Sequence, residues 1–414
     1  MYELKWTKEQ KIILNLTARS ISESPSSLIL SEEDLVDADW KAIAKESVSQ
    51  AVSLAAFDAA SVYKKYIPED VYGRWKDISV SVLQNNFIVM QSQAELLGIL
   101  DKHDFPYLIL KGMAAGAYYP NPELRVLGDV DFLIDPNRRA EVEKVLTEEG
   151  YERWEFEHVS HVVFKKPQAH LEMHFEVAGV PYGWQGEEIR AFLKDAVFNP
   201  VTSEQAGYAF HAPADMYHGL ILLLHMQHHM LGEGLGLRHL SDWAVYVAKT
   251  YKQSYWEETL LPFLRKIGLF TYASVMTKVC AKYLHIPCPD WAENADEETC
   301  DEVMNDILTG GNFGRKDKTR AKSGMLISEH GKAGTKHGAV YNLAHGLHKV
   351  VMLRYPIIKK APILYPFLYC WKAIRFLFLS MIGKRPSLIK MKPEAEKRKS
   401  VYDKLAVFET DGRK

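Results

Sequence analysis

Cysteine is scarce in this 414-residue chain: Cys280, Cys288, Cys300 and Cys370 follow no zinc-ligand spacing and no secreted pairing framework. That excludes a disulfide scaffold, and reduced thiols in a cytoplasmic protein are the expectation. Long apolar runs are missing as well. The stretch Ala361 to Ile382 is rich in Leu, Phe, Tyr and Trp, but Lys372 and Arg375 interrupt it and Pro362 and Pro366 open it. It falls short of the roughly 20 uninterrupted apolar residues that a spanning helix needs. The opening Met1-Tyr2-Glu3-Leu4-Lys5-Trp6 has no signal-peptide pattern, since polar residues break it, so retention inside the cell is expected. No internal repeat, low-complexity tract or nucleic-acid recognition module is evident.

What is present suits an enzyme of ordinary build. With 47% apolar and 25% charged residues the chain can bury a large core, so disorder is not the default. It divides into a helical region at 1–100, a strand-bearing core at 101–205, a helical domain at 206–345 with a mobile loop at 314–337, and a basic, aromatic tail at 346–414. In the first region Leu83, Phe87, Met90, Ala94, Leu97 and Leu100 step by three and four, which predicts a helix packed on a sheet.

The most informative run is Gly128-Asp129-Val130-Asp131-Phe132-Leu133-Ile134. An Asp-x-Asp pair on a strand aims two carboxylates from one face, a cradle for Mg²⁺ and so for phosphoryl or nucleotidyl transfer. Tyr107-Leu108-Ile109-Leu110 reads as a buried strand that runs into Lys111-Gly112, where a cation sits beside exposed backbone N–H groups. Arg125, four residues before Asp129, brings a second cation to the same neighbourhood. Asp135-Pro136 caps a following helix whose apolar face holds Ala140, Val142, Val145 and Leu146. Further on, His170 to Val177 alternates polar and apolar residues with period two, so Leu171, Met173, Phe175 and Val177 face a core. His170, Glu172, His174 and Glu176 share the other face, and Glu172 is the preferred third carboxylate with Glu176 as its alternative. His174 reads as a supporting hydrogen-bond partner behind a ligand.

Asp215 to Leu231 reads as a helix carrying His225 and His229 at i, i+4, with His218 on the same stripe. That spacing can bind zinc. With no His-Glu-x-x-His, no His-Asp dipeptide and no cysteine nearby, histidines lining a cleft or a helix interface are the simpler reading. Arg238 and Asp242, also i, i+4, read either as a structural ion pair or as a phosphate contact held in place by its neighbour.

With these motifs the chain resembles the nucleotidyltransferase superfamily, of polymerase-beta-like fold, and more narrowly the group called uncharacterised nucleotidyltransferases. The resemblance rests on Leu110-Lys111-Gly112, on Arg125 through Gly128-Asp129-Val130-Asp131, and on Glu172-Met173-His174. His225-Met226-Gln227-His228-His229, Leu237 to Asp242 and Gly310-Gly311-Asn312-Phe313-Gly314 extend it. It implies an α+β fold, a small mixed sheet flanked by helices, with largely helical N- and C-terminal regions. It further implies Mg²⁺ (or Mn²⁺) held by Asp129, Asp131 and Glu172, and an NTP such as ATP contacted by Lys111, Gly112, Arg125, Gly128 and Arg238. His174, His225, His229 and Asp242 would support the site. The acceptor is unidentified, and the group's association with surface-polysaccharide genes suggests a sugar. A catalytically idle nucleotide-binding scaffold, or toxin-like transfer to tRNA or protein, are the alternatives.

The tail differs in charge. Residues 349–399 hold 13 Lys or Arg against Glu394 and Glu396, a balance of +11 in a chain whose net charge is −2. A C-terminal helix docked on the protein with its cations at the rim is the simpler reading, and peripheral contact with anionic lipid is the alternative.

Overall fold

A computed structural model describes residues 6–154, 158–317, 320, 365–381, 396 and 398–410. Five helices come first: α1 Lys8–Ile21, α2 Glu32–Leu35, α3 Trp40–Ser49, α4 Ser53–Ala60 and the long α5 Glu69–Lys102. Thr7 and Gln10 close a capping box on α1, satisfying otherwise orphaned N–H groups. Then β1 Tyr107–Leu110 leads through α6 Gly112–Gly116 to β2 Val130–Ile134 and α7 Arg139–Glu148. The strands β3 Glu152–Arg153, β4 His161–Lys166 and β5 Ala169–His174 complete a sheet, followed by α8 Trp184–Leu193 and the hairpin β6 Val201–Gln205 and β7 Tyr208–Ala212. The remaining helices are α9 Asp215–Leu231, α10 Leu237–Thr250, α11 Leu261–Ile267, α12 Phe270–Leu284, α13 Asp290–Glu293, α14 Glu297–Gly310 and α15 Tyr365–Met381. The fold is α+β, with a small mixed sheet between helical regions.

The sheet order is β1-β2-β5-β4-β3. All neighbours run antiparallel except β2 and β5, which are parallel with Asp131 opposite Glu172. Because side chains alternate along a strand, that register assigns each residue a face. Ile109, Phe132, Ile134, Leu171, Met173, Val162 and Phe164 point back onto Met90, Leu97 and Leu100 of α5 and Val142 and Leu146 of α7. On the front, Leu108, Leu110 and Leu133 join a second core made by α1, α3, α4, α9, α10, α12 and α14. The same front face carries Asp131, His170, Glu172 and His174 beyond the edge of that core.

The apolar stripe expected on α5 needs one correction. On α5, Phe87 is 53% exposed, whereas Trp75, Ser79, Asn86, Met90, Gln93, Leu97 and Leu100 are buried. The expected stripe holds from Met90 onward and is one residue out of register before it. Asn86 explains the offset: its side chain is buried to bond the carbonyls of Glu123 and Arg125 and the Leu127 N–H, so a polar residue takes the inward position. The alternating strand ends at His174, yet as expected Val177 beyond it is buried in the front core and Phe175 packs partly against the back core. The division expected at 205/206 falls in a hairpin turn, where Ala206 and Gly207 both have positive φ. Such a turn matches strand twist, and Phe210 and Ala212 of this hairpin pack into the sheet's own core.

Of the loop expected at 314–337, only residues 314–317 and 320 are described. Arg320 is buried and paired with Asp306 at 2.5 Å. Most of the tail also lies outside the described residues. Within it, residues 401–408 dock, with Val401, Tyr402, Leu405, Val407 and Phe408 in the core. The helix α15 differs, for Phe367, Trp371, Ile374 and Phe378 are all more than half exposed. No described helix is long and apolar enough to cross a membrane.

Candidate active site

Two residue parities build the site. Asp129 and Asp131 are two apart at the start of β2, and His170, Glu172 and His174 are two apart on β5, so parallel pairing lines both sets along one face. Side-chain exposure rises along it, from 12% at Asp131 to 24% at Glu172 and 48% at Asp129. The carboxylates therefore run from the interior to an open mouth.

At the inner end Asp131 Oδ1 receives Lys111 Nζ at 2.5 Å and His174 Nε2 at 3.0 Å. His174 Nε2 also lies 3.6 Å from Glu172 Oε2. Burial alone would raise the Asp131 carboxyl, but the charge of Lys111 and the bond to His174 outweigh it and hold it well below the usual carboxylate range. Burial opposes protonation of His174 in turn, and its bonds to Asp131 and Glu172 overcome that and raise it. At the mouth, His170 Nδ1 stands 2.9 Å from Asp129 Oδ1. Burial pushes the Asp129 carboxyl up; His170 opposes this, and the charges of Glu172 and Asp131 add to it. Like charges are thus crowded where no protein cation fully offsets them.

Lys111 reaches Asp131 from a strained turn. Its φ of 51° is rare for a residue with a side chain, and Gly112 follows with φ 33°. The same Nζ is 3.1 Å from His225 Nε2. Glu176 lies past the strand and is held by Arg190 at 2.5 Å, so Glu172 is the acid in register with Asp131.

The two arginines differ from expectation. Arg125 is buried and bound in a bidentate fork by Asp242, Nε to Oδ1 at 2.8 Å and Nη2 to Oδ2 at 2.7 Å, with Tyr119 donating to the same Oδ1 at 2.8 Å. It ties the loop before β2 to α10 and is spent there, not turned toward the carboxylates. Asp242, expected as a partner for Arg238, faces that loop instead. Arg238 has no carboxylate partner among the described residues; Nη1 makes one long contact of 3.4 Å to the Val126 carbonyl, and Nε is buried without a hydrogen bond. Its guanidinium lies by Gly128, where a Cβ would stand 3.9 Å from Nη1. Burial, then the charge of Arg125, pulls the Arg238 pKa down to about 10, against the opposing charge of Asp242.

A family model described as uncharacterised nucleotidyltransferase matches residues 37–285, more than half of the chain. The chain belongs to that family. It is a nucleotidyltransferase enzyme. Among solved structures it is similar to the antibiotic-resistance factor ANT(2'')-Ia, determined in solution, at 15% identity and a TM-score of 0.27, covering 39% of this chain and 84% of that one. No curated protein matches it.

In this nucleotidyltransferase three further histidines lie beside the residues that the motifs single out. His170 was visible on the alternating strand but had no assigned role. His161 sits on β4 opposite His174, and the apolar run Val162-Val163-Phe164 before Lys165-Lys166-Pro167 was the signal for that strand. His239 on α10 joins His225 and His229 of α9, one ring nitrogen of each lying within 4.8 Å of the others. Only a helix crossing could reveal that. The Gly-rich motif after α14 also finds a use: a Cβ on Gly236 would stand 2.6 Å from Asn312, and this close approach lays Phe313 against His229 and His239.

The fork between Arg125 and Asp242 gives a direct test of its structural role. Asp242→Ala leaves a buried guanidinium without its carboxylate and is expected to cost about 3–5 kcal/mol in urea denaturation. A loss below about 1 kcal/mol, the range of an exposed pair, would show that the fork does not hold the loop to α10.

Proposed function

We propose that this enzyme is a cytoplasmic, Mg²⁺-dependent nucleotidyltransferase that moves a nucleoside monophosphate from an NTP to an acceptor hydroxyl or phosphate and releases pyrophosphate. One observation carries this reading. Asp131 stands opposite Glu172 across the parallel strands, Asp129 precedes Asp131 by two residues, and ligand atoms of Asp129, His170 and Glu172 lie within 4.8 Å of one another. That donor set is hard, anionic and mutually repelling, which fits Mg²⁺ or Mn²⁺. Held by these three residues, the ion would neutralise phosphate charge and align the entering and leaving oxygens of an in-line displacement.

The protein's own groups carry the remaining roles in this proposal. Lys111 is a point charge for the triphosphate, backed by Asp131, and the bare backbone of Gly112 and Gly128 lets phosphates come close. Arg238 supplies the guanidinium fork, since Arg125 is committed to Asp242. His174 fixes the orientation of Asp131, and Glu172 takes the proton of the attacking acceptor.

Thermal denaturation with each of the four NTPs and Mg²⁺ tests the site. The wild type is expected to gain stability with at least one NTP, about 2.7 kcal/mol at a hundredfold excess over Kd, and Asp129→Ala with Asp131→Ala to lose most of it. Equal stabilisation of both proteins would sink the assignment. Pyrophosphate release across an acceptor panel separates an active enzyme from an idle nucleotide binder.

We also propose peripheral contact with an anionic bilayer. Phe367, Trp371, Ile374 and Phe378 recur at helical spacing on α15 and stay exposed, within a segment of the sequence carrying a balance of +11 over 349–399. An apolar stripe flanked by cations suits the headgroup boundary of acidic lipid. The full chain is expected to float with phosphatidylcholine–phosphatidylserine vesicles, not with phosphatidylcholine alone, and Trp371→Asp with Phe378→Asp to stay at the bottom of the gradient. Absence of flotation, or flotation unaffected by the substitutions, would refute the contact.

A further inference from the structure

The carboxylate face leaves one cluster of ligating side chains unused. His225 and His229 lie one turn apart on α9, and His239 reaches them from the first turn of α10. Nε2 of His225 and Nε2 of His229 are 2.8 Å apart, and one nitrogen from each of the three rings falls within 4.8 Å of the others. His239 is 3% exposed, yet its Nε2 has no hydrogen-bond partner. A buried imidazole nitrogen left without a partner costs free energy unless something outside the protein satisfies it. Phe313 packs against His229 and His239 and shields them from solvent.

We infer that His225, His229 and His239 form a binding site for a divalent transition metal of the zinc class, separate from the carboxylate cradle. Three imidazoles and no carboxylate are a borderline-soft set, which suits Zn²⁺, Co²⁺ or Ni²⁺ and disfavours Mg²⁺. Bonds of about 2.0–2.1 Å to a tetrahedral centre require only small shifts of rings that already converge. The fourth position stays open for water or a substrate oxygen. Lys111 touches the cluster, 3.1 Å from His225 Nε2, with its charge offset by Asp131 at 2.5 Å, and the charge of Arg238 also bears on His229 and His239. Lys111 therefore bridges the two sites, an oxygen-lined face on one side and a nitrogen-lined pocket on the other. The inference does not depend on nucleotidyl transfer.

Cobalt titration of the chelator-treated full-length protein tests it. The wild type is expected to develop the visible absorption of four-coordinate Co²⁺ at one equivalent, to lose it to Zn²⁺, and to keep it in excess Mg²⁺. Asp129→Ala with Glu172→Ala, which keeps the Asp131–Lys111 pair, should titrate as the wild type does, whereas His229→Gln and His239→Gln should each weaken Co²⁺ binding by at least the roughly 10–100-fold that removal of a supporting partner causes. Circular dichroism of the metal-free variants shows whether they are folded. Should either fail to fold, the wild-type titration and the carboxylate variant decide, because absence of the four-coordinate band in the wild type, or its loss in the Asp129 and Glu172 variant, overturns the site. Unchanged Co²⁺ affinity in folded His229→Gln and His239→Gln overturns it too.

Discussion

Parallel pairing of β2 with β5, with Asp131 opposite Glu172, is the constraint on which the rest depends. Shifting that pairing by one residue would send Glu172 to the back face, among Phe132, Val162 and Phe164, and bury a carboxylate in a hydrocarbon core while turning Leu171 and Met173 outward. The apolar residues of both strands prevent the slip. Val130, Phe132 and Ile134 on one strand and Leu171 and Met173 on the other must all reach the core beneath α5 and α7. Hydrophobic burial on one face thus fixes where the acids lie on the other. The chemistry of the front face is set by packing on the back.

Charge allocation decides which polar residues remain available. Both arginines near the site feel the charge of Asp242, and Arg125 takes both of its oxygens. A fully buried guanidinium is costly without such a partner, so the exchange is one-sided. Arg238 is left beside Gly128 with a long contact to the Val126 carbonyl and its guanidinium over the Phe313 ring, 5.6 Å from the centroid. Lys111 divides its reach between Asp131 and His225, and its left-handed backbone lets one residue serve both. A fixed cation between acids and imidazoles keeps the two sets chemically distinct.

Much of this was legible in the sequence because it is local. The strand at Tyr107–Leu110, the helix at Asp215–Leu231 and the alternation from His170 to His174 each follow from a period that neighbouring residues reveal. Failures came where partners are distant along the chain. Arg125 and Asp242 are 117 residues apart, and nothing in either neighbourhood says that they meet. His239 joins His225 only through the crossing of α9 and α10. On α5 the inward turn of Asn86 upset an apolar pattern, because its amide serves the loop before β2. Tertiary hydrogen bonding overrides periodicity at such positions.

The proposal that Asp129, Asp131 and Glu172 hold one divalent ion is tested most directly by Mn²⁺ titration, followed by the electron paramagnetic resonance signal of the free ion. Wild-type protein should remove that signal, more strongly when NTP is present. Glu172→Gln and Asp129→Asn should each weaken binding by at least the roughly 10–100-fold that loss of a supporting partner causes. Mn²⁺ binding of equal strength in all three proteins would contradict the account.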